Sequence, residues 1–348
     1  MLDSPYRGRP AVAIENDFLR ATVLLEGGHI AEIFDKETGV NPLWSPPWAP
    51  VDPTTFDPAR NPEFGTADDA RLLAGIMGHN ICLDIFGGAS TEEFAAGITA
   101  HGEGPVVAYR ASESDGVLTT WATLPLAQIR FERRLELRER ALRIHETVEN
   151  LSACDRPIGW TQHVTLGPPF LQKGATQFRA SATRSKVYES DFGSSAYLVA
   201  GAEFDWPSAP SSSLGFADLR VMSDAAASSA YTAHLMDPAR EFAYFAAFSP
   251  AHRLAFGYVW KHVDFPWLGI WEENHSRTHS PWNGAGLARG MEFGVSPFPE
   301  SRRAMIDRGR LFDVPTYRWL PAKSRIEAVY WAIARTAESV PEALEWPE

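Results

Sequence analysis

The feature that most constrains this chain is the alternation of residues 127–150. Ile129, Phe131, Arg133 and Leu135 alternate with polar neighbours. Glu139-Arg140 interrupts the run as a turn, and the pattern resumes through Leu142, Ile144, Glu146 and Val148. A period of two sends successive side chains to opposite faces of a strand, so this stretch is an antiparallel hairpin with one buried and one wet face. Residues 20–34 divide into two β-rich runs around Gly27-Gly28, a second hairpin signal. Residues 228–248, 252–261 and 324–334 read the same way. Helix signals are few. One covers 66–75, with Thr66 as cap and Asp68 and Asp69 in the first turn; another covers about 337–345. Residues 41–65 are dense in proline yet rich in aromatics, which predicts a long ordered loop walling a site. Residues 207–215 read as a flexible tip. No internal repeat or compositional break divides the chain. The expected architecture is therefore all-β: one domain over residues 1–348, a large antiparallel β-sandwich with a concave face.

Charge narrows the partners. Lys and Arg number 32 against 44 Asp and Glu, a formal net charge of −12. Such a surface repels phosphate backbones and anionic lipid, so neither nucleic acid nor membrane is expected as a partner. The first residues contain no apolar leader-like run, and no stretch of ~20 apolar residues exists to cross a bilayer, so a cytoplasmic location is expected. The two cysteines, Cys82 and Cys154, make no framework and are read as reduced, buried thiols. Tryptophan is abundant, at 12 residues, and Trp44, Trp48, Trp206, Trp267, Trp271 and Trp282 sit beside prolines and glycines in loop-like contexts. An indole face stacks on the C–H face of a sugar while its N–H reaches a hydroxyl, so a small-molecule carbohydrate is the expected partner of a monomer or homodimer.

Several chemistries have no signature here: there is no nucleophile elbow, no paired-cysteine motif and no phosphate-binding glycine loop. His275 and His279 are spaced four apart but lack further assignable ligands, so no metal and no cofactor is expected. Three segments place a titratable residue in an apolar or glycine-rich setting: 78–104, with His79 and His101; 160–170, with Trp160 and His163; and 290–294, with Glu292.

In their order, these segments resemble the aldose 1-epimerases of the galactose mutarotase-like superfamily. GGHIAEIFDKETGVNPLW is similar to the family's opening strands. ITAHGEGPV resembles its His-Gly segment, LRIHETVENLSACDRPIGWTQHVTLGPPF its block ending in a catalytic His, and ARGMEFGVSPFP its late strand with a catalytic Glu. The resemblance runs from about residue 12 to residue 334. It implies a supersandwich fold, His163 as general acid, Glu292 as general base and His101 as a substrate-binding residue, with no cofactor. His79, Asp264 and Glu272 are matched to further sugar contacts, and Trp160 and Trp271 are the stacking candidates. The chain departs from the family where GHNICLDIFGG replaces an Asn-Arg pair and where WTQHVTLGPPF surrounds the acid, which bears on sugar specificity. Two other readings use the same residues: a carbohydrate-binding protein without turnover, and an isomerase or lyase of an acidic sugar, for which Lys261, Arg277 or Arg289 would supply the cation.

Overall fold

The structure, a computed structural model, describes residues 2–3, 5–190, 192–213 and 215–347. The alternating segments become strands, and the strands form two large sheets in which every ladder is antiparallel. The first sheet runs, in spatial order, through Leu2–Asp3, Ala11–Glu15, Leu19–Leu24, Ile30–Asp35, His79–Asp84, Arg156–Leu166, Leu287–Gly294, Trp267–Asn274, Ser228–Met236, Ala182–Val187 and Glu203–Asp205. Arg318–Leu320 pairs onto the start of Arg156–Leu166. The second sheet runs through Gln177–Ala180, Phe242–Ser249, Leu254–Lys261, Arg325–Thr336, Ala141–Asn150, Ile129–Arg138, Val117–Leu124 and Arg110–Ser114.

The main core lies between the sheets. Phe131, Leu135, Ile144 and Val148 come from the predicted hairpin, and Trp160, Val164, Met291 and Phe293 come from the facing sheet. Full burial of each such side chain contributes about 1.5–3 kcal/mol. The same alternation places Arg133 and Glu146 in this apolar layer. They are cross-strand partners, and the guanidinium stands 2.7 Å from the carboxylate with both groups sealed from solvent. Glu146 also accepts from Trp160 Nε1 at 3.0 Å and Gln162 Nε2 at 2.6 Å. The Tyr330 hydroxyl lies 2.8 Å from both Glu146 Oε1 and Gln162 Oε1. A buried charge is tolerated when its partners are this complete.

A second core covers the outer face of the first sheet, where Trp44, Leu72, Phe86, Tyr231, Trp271 and Trp282 pack under the proline-rich loop. The helix expected at 66–75 spans Ala70–Gly75, because Asp68 turns away and accepts the Ala89 N–H at 2.6 Å. No helix forms at 337–345: the chain lies across the second sheet and buries Leu344 beside Tyr244, Val259 and Trp331. The predicted tip is a short hairpin of Ser208–Ser211 with Gly215–Asp218, Leu214 lying outside the described residues. Both cysteines are free, but Cys154 is exposed rather than buried, since it follows the end of a strand in a polar turn.

Candidate active site

Register builds the site. In Arg156–Leu166 the even residues enter the inter-sheet core, so Thr161, His163 and Thr165 must point to the outer face. Leu287–Gly294 behaves alike: Met291 and Phe293 face inward, and Gly290 and Glu292 face outward. His163 and Glu292 are direct antiparallel partners. Side chains so opposed begin about 5 Å apart at Cβ, and here His163 Nε2 and Glu292 Oε1 stand 3.0 Å apart. The pair is close enough for an ion contact but off the line of a hydrogen bond, for Oε1 has no hydrogen-bond partner among the described residues. Thr165 Oγ1 lies 3.1 Å from His163 Nδ1. That contact orients the ring so that Nε2 faces Glu292.

The row continues on both sides. Asn80 is the partner of His163 on one flank, and Gly269 is the partner of Glu292 on the other. A side chain at 269 would collide with the Tyr231 hydroxyl, 2.0 Å from where its Cβ would stand, so glycine there lets Tyr231 lean toward Glu292. Burial first, and then the Glu292 carboxylate, push the Tyr231 hydroxyl well above its ordinary pKa and keep it protonated.

His101 reaches the pair from a turn. Its backbone is left-handed, φ 65°, a conformation costly for a residue with a Cβ and common at functional sites. The turn is tied by its N–H to Gly87 O at 3.0 Å and by its carbonyl, which accepts from Leu83 N at 3.2 Å. The rings of His101 and His163 lie 4.7 Å apart. Burial, with the nearby His163 and His29 rings adding to it, holds the His101 pKa well below the usual imidazole range, so it is neutral near pH 7.

These groups open onto one cleft of about 260 Å³, lined also by Asp69, Phe86, Tyr231, Trp271, Arg277 and Trp282. Trp282 is backed by the predicted wall: Trp44 stacks on it at 5.9 Å and Trp48 meets it edge-on at 4.8 Å. The proline-rich loop thus supports the wall rather than supplying its face. Polar atoms on this face of the sheet are uncommitted. Asn80 Oδ1 and Nδ2, His101 Nδ1 and Thr161 Oγ1 are buried without partners among the described residues. Buried polar groups require partners, and hydroxyls of a bound polyol would supply them.

Four residues expected to bind substrate lie elsewhere. His79 faces the inter-sheet core, with Tyr258 OH and Gln162 Oε1 each 3.0 Å from its ring nitrogens. It is one residue out of phase with Asn80, the cross-strand partner of His163. Trp160 is likewise even-numbered on its strand and gives its N–H to Glu146. Glu272 is one residue out of phase with Trp271 and accepts from Ser228 Oγ at 2.5 Å and Tyr197 OH at 3.3 Å. Asp264 sits in the turn after Leu254–Lys261, near Lys261 and Arg318. Sequence reasoning missed Asn80, Thr161 and Tyr231. The first two follow from the alternation once the face of His163 is known; Tyr231 has no local signal.

No protein-family model matches the sequence, and no curated protein does. Solved structures do match. A galactose mutarotase-like protein from Clostridium acetobutylicum superposes with a TM-score of 0.64 at 12% identity, covering 96% of this chain and 98% of that one. A galactose mutarotase related enzyme from Lactobacillus acidophilus gives 0.59 at 14% identity, covering 95% and 99%. A protein provisionally named aldose 1-epimerase from Klebsiella pneumoniae gives 0.65 at 14%, covering 95% and 80%. The chain therefore has the galactose mutarotase-like fold, and it is divergent in sequence from the proteins that share it.

Proposed function

We propose that the protein interconverts the anomers of an aldose by general acid–base ring opening, as an aldose 1-epimerase does. The observation that carries this reading is the 3.0 Å approach of a buried imidazole and a buried carboxylate at a cleft on the outer sheet face, beside a tryptophan wall. The Glu292 carboxylate takes the proton from the anomeric hydroxyl while His163, as the imidazolium, gives its Nε2 proton to the ring oxygen. The C1–O5 bond breaks and leaves a carbonyl at C1. Rotation about C1–C2 and reversal of both proton transfers closes the other anomer and returns each group to its starting state. Each placed group typically contributes ~10²–10⁴-fold. In this reading Trp271 stacks on the ring, and His101, as a neutral donor, holds a hydroxyl.

The deciding measurement is the rate at which a freshly dissolved α-anomer reaches equilibrium, followed by polarimetry or NMR over hexoses, pentoses and uronic acids. Acceleration for at least one sugar is expected. A protein that binds a sugar and never speeds its mutarotation refutes the proposal and leaves a binding role.

A further inference from the structure

The cleft does not end at its tryptophan wall. Past Arg277 it continues into a second compartment of about 390 Å³, lined by Ser194, Ser195, Thr278 and His279 among others. Phe192 and Arg277 line both compartments. The first compartment carries Asp68, Asp69 and Glu292, whereas among the described residues no carboxylate lines the second.

Arg277 is held ready between them. Its guanidinium lies over the ring of Trp282 at 4.7 Å and near that of Trp271 at 5.4 Å, contacts that orient a cation without using its N–H groups. Two carboxylates act on it, Asp69 and Glu273; Glu273 is 3.5 Å from Nε and is already engaged by Ser276 N at 2.8 Å, Ser276 Oγ at 2.6 Å and Arg277 N at 3.1 Å. The guanidinium donates no hydrogen bond to a described side chain or carbonyl, and at 35% exposure it is reachable from the cleft. A planar, fork-shaped donor of this kind matches a phosphoryl or carboxylate group.

We infer that the second compartment takes an anionic substituent of the sugar, phosphoryl or carboxylate, on Arg277, while the ring lies on Trp271 against His163 and Glu292. The inference rests on the anomerase reading for the placement of the ring. The substrate then takes one orientation: its ring on Trp271 toward His163 and Glu292, its anion toward Arg277 and the hydroxyl-lined recess.

The test compares an aldohexose, its 6-phosphate, the matching hexuronate and a neutral disaccharide, using exchange NMR for mutarotation and calorimetry for binding. The wild type should favour one of the two anionic sugars over the neutral hexose by at least about tenfold in kcat/KM, in line with charge-assisted hydrogen bonds. Arg277→Met should erase most of that preference, Arg277→Lys should keep part of it, and Thr278→Val with His279→Ala should weaken it without touching the tryptophan stack. Equal use of neutral and anionic hexose, a preference for the disaccharide, or a preference that survives Arg277→Met overturns the inference while leaving the anomerase reading intact. Anionic sugar that binds in an Arg277-dependent way but is never anomerised has the reverse meaning. Absence of binding and turnover alike removes both.

Discussion

In the proposed ring opening, Glu292 and His163 act as a unit because neither completes the step alone. Glu292→Gln and His163→Ala should each lower mutarotation by at least ~10²-fold with sugar affinity changed only slightly, since proton transfer is made only in the transition state. The double variant should be little worse than either single one, and rates that multiply would separate the two roles. His101→Ala should weaken affinity as well as rate, measured as a rise in KM. Gly290 gives a subtler probe. It faces the cleft two residues before Glu292, and a Cβ there would stand 2.3 Å from Glu292 Oε1, the free end of a flexible side chain. Gly290→Ala should therefore turn the carboxylate away from His163, with a fall in kcat of tenfold or more and a melting temperature within a few degrees of wild type. An unchanged kcat would show that the carboxylate does not need its present rotamer. His101, His163 and Glu292 were legible in the sequence because each lies in a segment whose order resembles a known pattern, whereas Trp271 stood out only as one of many tryptophans beside prolines and glycines. His79, Trp160 and Glu272 were misplaced for a single physical reason: in a strand, a neighbour of a cleft residue belongs to the opposite face.

At the scale of elements, the central strand Arg156–Leu166 has two chemically active faces. Outward it presents His163; inward it presents Trp160 and Gln162 to Glu146, which Arg133 neutralises. That arrangement pins the strand to the second sheet. Arg133→Met should cost about 3–5 kcal/mol, because it leaves Glu146 charged and buried, and pairing it with Glu146→Leu should recover much of the loss. Urea unfolding of the single and double variants measures this, and additive losses would contradict it. The hairpin at 127–150 was fully legible from its alternation. The helix expected at 337–345 was not, because its apolar residues are used against a sheet face whose existence no local window reveals. The wall built from Trp282 on Trp44 and Trp48 was visible only as an excess of tryptophan; its geometry depends on contacts more than 200 residues apart in the chain, which composition cannot report.

For the molecule as a whole, buried imidazoles set the response to acid. Burial is the main cause that lowers the pKa of His29 and of His234 to about 3, and it drives that of His79 well below the usual value. The unfolded chain takes these protons near pH 6.5, so it binds more protons than the native state between about pH 6.5 and 3. Stability is therefore complete above pH 6.5 and falls as pH drops, by up to about 1.4 kcal/mol per pH unit for each histidine. Melting temperature should be level from pH 7 to 8 and decline steadily from pH 6 to 4; a flat profile down to pH 4 would contradict the buried, neutral assignment. One consequence of the contact between His163 and Glu292 belongs to this scale as well. Without sugar, each group is the other's partner, tethered by adjacent strands at a far higher effective concentration than a dissolved hydroxyl. A sugar must come between them, so the site carries its own competitor. For the proposed anomerase, weak ground-state affinity, and release of product as easily as substrate, then follow from the backbone register itself.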